Sequence, residues 1–223
     1  MKYGVGINDA DYQVSPRAGN KRITCPYYAT WSGMLARCYS PVHLERRPTY
    51  VGCSVCEEWL TFSKFKAWME VQDWEGKQLD KDLLIPGNKI YGPDTCVFVS
   101  RDLNMFVNDR AACRGNSPIG VSWYPRLGKF QASCKNPFTG VQEYLGLYDC
   151  PEDAHEAWRQ RKHELACQYA DTVHDKRLST TLRNRYRLTR KREFAKIYAE
   201  LQDNSLVSLA ILKRYELEEL LNS

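Results

Sequence analysis

The chain has 223 residues, 43% hydrophobic and 26% charged, with a net charge of +5. That length holds one large or two small domains, and the balance of apolar and charged residues excludes a disordered chain. No apolar run approaches the roughly 20 residues that span a bilayer, so no membrane partner is expected.

Residues 1–25 open the chain. Gly4, Gly6, Pro16 and Gly19 fall in this stretch, which has no apolar core of a secretion signal, so it reads as a loosely ordered arm. Nine cysteines without such a signal point to reduced thiols and a cytoplasmic location.

Residues 26–112 are dense in Cys, Trp and Tyr. A helical pattern over Tyr28 to Tyr39 places Trp31, Met34, Leu35 and Cys38 on one face, and Trp59, Phe62, Phe65, Trp68 and Met69 repeat it. Both stripes read as core. Cys53-Ser54-Val55-Cys56 is a C-x-x-C knuckle which, with Cys38 and Cys96, has the thiolates for a tetrahedral structural zinc. The other reading is four buried thiols acting as small apolar residues.

The most informative stretch follows. Leu79-Asp80-Lys81-Asp82 reads as a strand, the residues up to Val99 as a glycine-containing loop and a second strand, and Asn104 and Asn108 fall on a helix. Acid and amide side chains at the ends of such a unit suit one hard divalent cation, Mg²⁺ or Mn²⁺, against a phosphate. Lys81 is protonated at neutral pH unless burial or neighbouring cations depress its pKa, so Asp82 or metal-bound water is an alternative base. His43 is a further alternative.

After the turn-rich linker Arg114–Pro118, residues 117–172 read as three strands, 119–124, 129–135 and 141–147, and a helix opened by Pro151 with Asp149 as N-cap. Alternation puts Phe130, Ala132 and Cys134 on the helix side. Lys129, Gln131, Ser133 and Lys135 go to the other face, with Ser122, Tyr124, Arg126, Gln142 and Tyr144. Residues 173–223 read as helical and basic. From Lys176 to Lys196 there are nine Lys or Arg, including Arg183, Arg187, Arg190 and Lys191, which suits phosphates.

Two resemblances add to this reading. Residues 119–160 resemble the DNA-binding domain of the Apetala/ethylene-response-factor type, through Gly120-Val121, Gly128-Lys129-Phe130, Ala132, Leu145-Gly146, Tyr148-Asp149 and Glu152-Asp153-Ala154. The resemblance implies duplex DNA read by the sheet, with Ser122, Tyr124, Arg126, Ser133, Lys135, Gln142 and Tyr144 as the contacting side chains. Residues 27–108 resemble a divergent His-Asn-His (HNH) endonuclease module of phage genomes. Trp31, Met34, Arg37-Cys38-Tyr39, Tyr50, Gly52, Val55-Cys56, Glu58-Trp59, Leu79-Asp80, Tyr91, Pro93, Cys96 and Asn104 carry that likeness. It implies Asp80 as metal ligand, Lys81 at the position of the base, Asn104 or Asn108 as second ligand, and Thr95 in place of the asparagine that braces the loop.

Together these readings predict an α+β fold: a small ββα-metal module, a three-stranded antiparallel sheet packed on a helix, and a basic helical C-terminal region. The expected function is a phage-type, metal-dependent endonuclease on double-stranded DNA, working in the host cytoplasm. The rivals are a catalytically inactive DNA-binding or regulatory protein built from the same parts, and a protein that uses the aromatic first domain to bind another protein.

Overall fold

A computed structural model describes residues 1–108 and 117–187, which form a mixed α+β fold with six α-helices and four small sheets. The N-terminal stretch is more fastened than its glycines suggest. It holds a short hairpin, β1 (Arg17–Ala18) and β2 (Lys21–Arg22). Ile7 bridges to Thr61, and Asp9 accepts from both the amide and the hydroxyl of Ser63 at 2.9 and 2.5 Å.

α1 (Pro26–Tyr39) starts on a proline, whose missing N–H costs nothing in a first turn. It buries Trp31, Met34, Leu35 and Cys38, the four residues that the helical spacing selects. α2 (Pro41–Arg46) is capped by the Ser40 hydroxyl, and β3 (Ser54–Val55) follows a 3-10 turn. The second aromatic stripe is not one helix. Trp59 sits in a 3-10 turn and α3 runs from Phe62 to Glu70, because Thr61 is held extended by its bridge to Ile7. Both segments still face inward, and Trp59 packs edge-on against Phe65 and at a tilt against Trp68.

β4 (Gln78–Asp80) pairs antiparallel with β6 (Val97–Val99), while β5 (Ile90–Tyr91) pairs parallel with β3. α4 (Arg101–Val107) begins at Ser100, whose hydroxyl accepts from the Leu103 amide. The second sheet unit is β7 (Val121–Tyr124), β8 (Lys129–Lys135) and β9 (Gln142–Tyr148), antiparallel in that order, with a bulge beside Ala132 and Ser133. Ala132 and Cys134 are buried toward α5 (Pro151–Thr172). The cap of α5 is Cys150, not Asp149: the Cys150 sulfur accepts from the Asp153 amide, and Asp149 pairs with Lys129 at 3.0 Å. α6 (Lys176–Arg185) is capped by Asp175.

Two apolar cores result. One gathers α1, α3 and the aromatic residues around them. The other runs across the sequence boundary between the two units: Val97, Val99, Leu103 and Phe106 pack with Trp158, Leu165, Tyr169, Leu178, Leu182 and Tyr186. The buried ammonium of Lys162 donates to the Phe106 carbonyl at 2.5 Å across that boundary. No helix among the described residues is long and apolar enough to cross a membrane.

Candidate functional site

β4 ends at Asp80 because that side chain turns the chain. Its Oδ1 accepts from the amides of Asp82 and Leu83 at 3.0 and 2.7 Å, which aims Lys81 inward and Asp82 outward. Lys81 is 6% exposed. Its Nζ donates to Asp82 Oδ2 and to the Asn88 carbonyl, each at 3.0 Å, and lies 5.9 and 6.0 Å from the rings of Tyr50 and Tyr91. A buried charge needs such partners. Asn88 completes the loop: its Nδ2 donates to the carbonyls of Lys81 and Ile90, both at 2.7 Å, and its Oδ1 accepts from the Ile90 amide. Thr95 braces the far end by donating to the same Ile90 carbonyl at 2.7 Å. Two side chains therefore share the bracing expected of one.

These residues open on a cleft of about 740 Å³. β4 and its loop supply Asp80, Lys81 and Asp82, α4 supplies Asn104 and its C-cap Asn108, and α1 supplies Arg37. The structure thus brings Asp80, Lys81, Asp82, Asn104 and Asn108 to one cleft. It adds Arg37, Lys77 and Arg185 to the lining, the last reaching in from α6, where it donates to the Val107 carbonyl at 3.1 Å. Asn104 Nδ2 donates to Gln78 Oε1 at 2.9 Å, which fixes α4 to β4 beside the acids. His43 does not line the cleft; its ring packs on Tyr50.

Burial and the neighbouring Asp82 carboxylate push the Asp80 carboxyl above its usual range. Two acids side by side favour a cation that can neutralise them. With the amide oxygens of Asn104 and Asn108 on the same cleft, the donor set is all hard oxygen and suits Mg²⁺ or Mn²⁺.

The four cysteines of the expected zinc set share one core, but no three His, Cys, Asp or Glu side chains gather as a metal-ligand group among the described residues. Burial pushes the Cys38 and Cys96 thiols up to about 12. The zinc reading rests on the sequence spacing alone.

The outer face of β7-β8-β9 carries the side chains expected to meet DNA. Ser133 lies opposite Tyr144 and Lys135 opposite Gln142, and Gln142 donates to the Ser133 hydroxyl at 2.9 Å. Ser122, Arg126, Lys135, Gln142 and Tyr144 are exposed and Tyr124 is half-buried. Of the basic residues expected on the tail, Arg183 is paired with Asp171 and Arg187 is exposed, while Arg190 and Lys191 lie outside the described residues.

Arg37 and Lys77 line the cleft without a role from sequence reasoning, Arg185 was read only as part of the basic tail, and Asn88 is the loop residue behind Lys81. Asn88 has a local signal, since Pro86-Gly87-Asn88 announces a turn braced by an Asx side chain. Arg185 has none, because its place depends on how α6 packs against α4. No family model, curated protein or solved structure matches the chain.

Proposed function

We propose that the protein is a metal-dependent endonuclease that hydrolyses phosphodiester bonds in double-stranded DNA, with a divergent HNH-like module for the chemistry and an Apetala-type sheet for grip. The observation that carries this reading is the convergence of Asp80, Lys81, Asp82, Asn104 and Asn108 on one cleft that also holds Arg37 and Arg185.

Asp80 and an amide oxygen of Asn104 or Asn108 would hold the divalent ion. When bound, such an ion polarises a phosphoryl oxygen and lowers the pKa of bound water. The Lys81 ammonium, fixed by Asp82 and Asn88, stabilises charge that develops on the phosphate. Asp82 is the side chain with both exposure and a lone pair to receive the proton of the attacking water. The exposed sheet face meets the duplex beyond the cleft, and cytoplasmic DNA is the expected substrate.

A second reading, a catalytically inactive DNA-binding protein, draws on one observation: Lys81 stands where a base is expected, and its ammonium, donating to two oxygens, offers no lone pair. The deciding experiment is nicking of supercoiled plasmid in Mg²⁺ or Mn²⁺ by the wild type, Asp80→Ala and Lys81→Ala. The expected result is nicking that falls by about a hundredfold or more in Asp80→Ala, the scale on which preorganised electrostatic groups act. Protein that shifts the same DNA but cuts it in no divalent metal would replace the nuclease by the binding protein.

A further inference from the structure

Arg37 is a guanidinium without a counter-ion among the described residues. It sits in the last turn of α1 and is half-buried. Its Nε is buried with no hydrogen-bond partner, and no ion pair forms on it among the described residues. The Tyr91 ring lies 5.3 Å away. Tyr91 cannot neutralise it, because burial raises that phenol well above its usual range and keeps it uncharged. Cys38 and Cys96, which also feel the Arg37 charge, are buried thiols and stay protonated. Taking a guanidinium out of water without an anion is costly, and such groups are normally paired.

The approach to Arg37 is open. Ala29, Thr30, Gly33 and Arg37 share one face of α1, and all four line the cleft. The first three are small, and a Cβ built on Gly33 would find nothing within 4 Å. The face is therefore a trough along the helix that ends at the unpaired cation, with Arg185 of α6 lining the same cleft.

We infer that Arg37 is a phosphate-binding residue: the trough along α1 takes one strand of a nucleic-acid backbone, and the Arg37 fork holds a phosphodiester in the cleft that contains Asp80. A planar fork of donors matches two phosphate oxygens and is the usual partner of that group. This rests on the nuclease reading only in taking the cleft as a nucleic-acid site; it does not require that the cleft cuts.

The test is duplex binding without divalent metal. A short fluorescein-labelled duplex is titrated in EDTA over a range of salt with the wild type, Arg37→Ala, Arg37→Lys and Asp80→Asn, and each protein is melted. Arg37→Ala should weaken binding about tenfold or more, the usual scale of a charge-assisted hydrogen bond. It should also reduce the slope of log K against log salt by about 0.9, one phosphate contact. Arg37→Lys should keep the slope. The melting temperature of Arg37→Ala should stay level or rise, because a half-buried cation with no ion pair among the described residues is removed. Unchanged affinity and slope in Arg37→Ala would overturn the inference. So would a lowered melting temperature with unchanged slope, which marks a structural role against Tyr91, and so would a wild type that binds no duplex. The nuclease reading fails separately, when wild-type protein binds as expected but plasmid is not nicked.

Discussion

Lys81 carries its charge inside the protein, and its surroundings decide what that charge can do. The ammonium is bound to a carboxylate and a main-chain carbonyl and flanked by two tyrosine rings. That carbonyl is Asn88's own, and the Asn88 side chain donates to the carbonyls of Lys81 and Ile90, so it holds the loop around Lys81. Replacing it with alanine removes three hydrogen bonds and leaves the Lys81 and Ile90 carbonyls without that donor. The expected cost is about 2 kcal/mol, since each unsatisfied buried group costs about 1–3 kcal/mol and this loop is part-exposed. Urea unfolding measures it, and plasmid nicking should fall with it because Lys81 loses its fixed position. Nicking retained by a folded Asn88→Ala protein would show that the loop does not hold the reactive geometry. Asp80 and Lys81 stand out in the sequence because strand ends near glycine and asparagine are visible there. Asn88 has to be inferred from its turn, and the isolation of Arg37 has no sequence signature, since it depends on what is missing around the side chain.

At the scale of elements, α1 does two jobs with two faces. The buried face follows the 3.6-residue period and was legible as Trp31, Met34, Leu35 and Cys38. The cleft face is legible only once the cleft is known. Gly33 separates the two requirements. With open space beside it, Gly33→Ala should raise stability by about 1 kcal/mol through helix propensity alone, read from the urea midpoint. Gly33→Trp should fill the trough and weaken duplex binding without lowering the midpoint, because tryptophan is also a better helix former than glycine. The sheet unit is fastened differently. Arg161 of α5 holds Glu143 of β9 through two hydrogen bonds of 2.7 and 3.1 Å, with Asn136 as a third donor. These partners pull the Glu143 carboxyl down from 4.5 to about 2. A carboxyl lowered on folding adds stability above its unfolded pKa and loses it as pH falls through the folded one. Acid unfolding of wild type should therefore steepen between pH 4.5 and about 2, and Glu143→Gln should remove that dependence. Periodicity exposed the three strands and the face of each residue. The cap of α5 was misplaced by one residue because a thiol is a weaker acceptor than a carboxylate, and sequence preference alone favours aspartate.

The molecule as a whole is joined where the sequence shows a linker. Phe106 of α4 packs on Tyr169 of α5 and on Tyr186 beyond α6, and Arg177 of α6 donates to the Pro93 carbonyl at 3.1 Å. The sequence places a linker at Arg114–Pro118, and the packing of the two units on each other was not legible there, because contacts between distant segments leave no local pattern. Two consequences follow for any shortened chain. Ending it after Thr172 removes Leu178, Leu182 and Tyr186 from the shared core, and a buried leucine lost to a cavity costs about 2–5 kcal/mol. It also removes Arg185 from the cleft, so such a protein should lose nicking even with Asp80 intact. Ending it after Arg187 keeps every described residue of that core. The urea midpoint should then match the full chain, with tryptophan fluorescence and far-ultraviolet circular dichroism tracing one transition, since Trp31 and Trp158 report on cores that meet through β6. Duplex binding by that chain should weaken and its salt slope fall by about 0.9 for each lost contact, because Arg190 and Lys191 are gone. An unchanged salt slope would take those two residues out of the DNA interface and leave the grip to the sheet face and the cleft. Separate midpoints for the two probes would mean that the shared core does not couple the units.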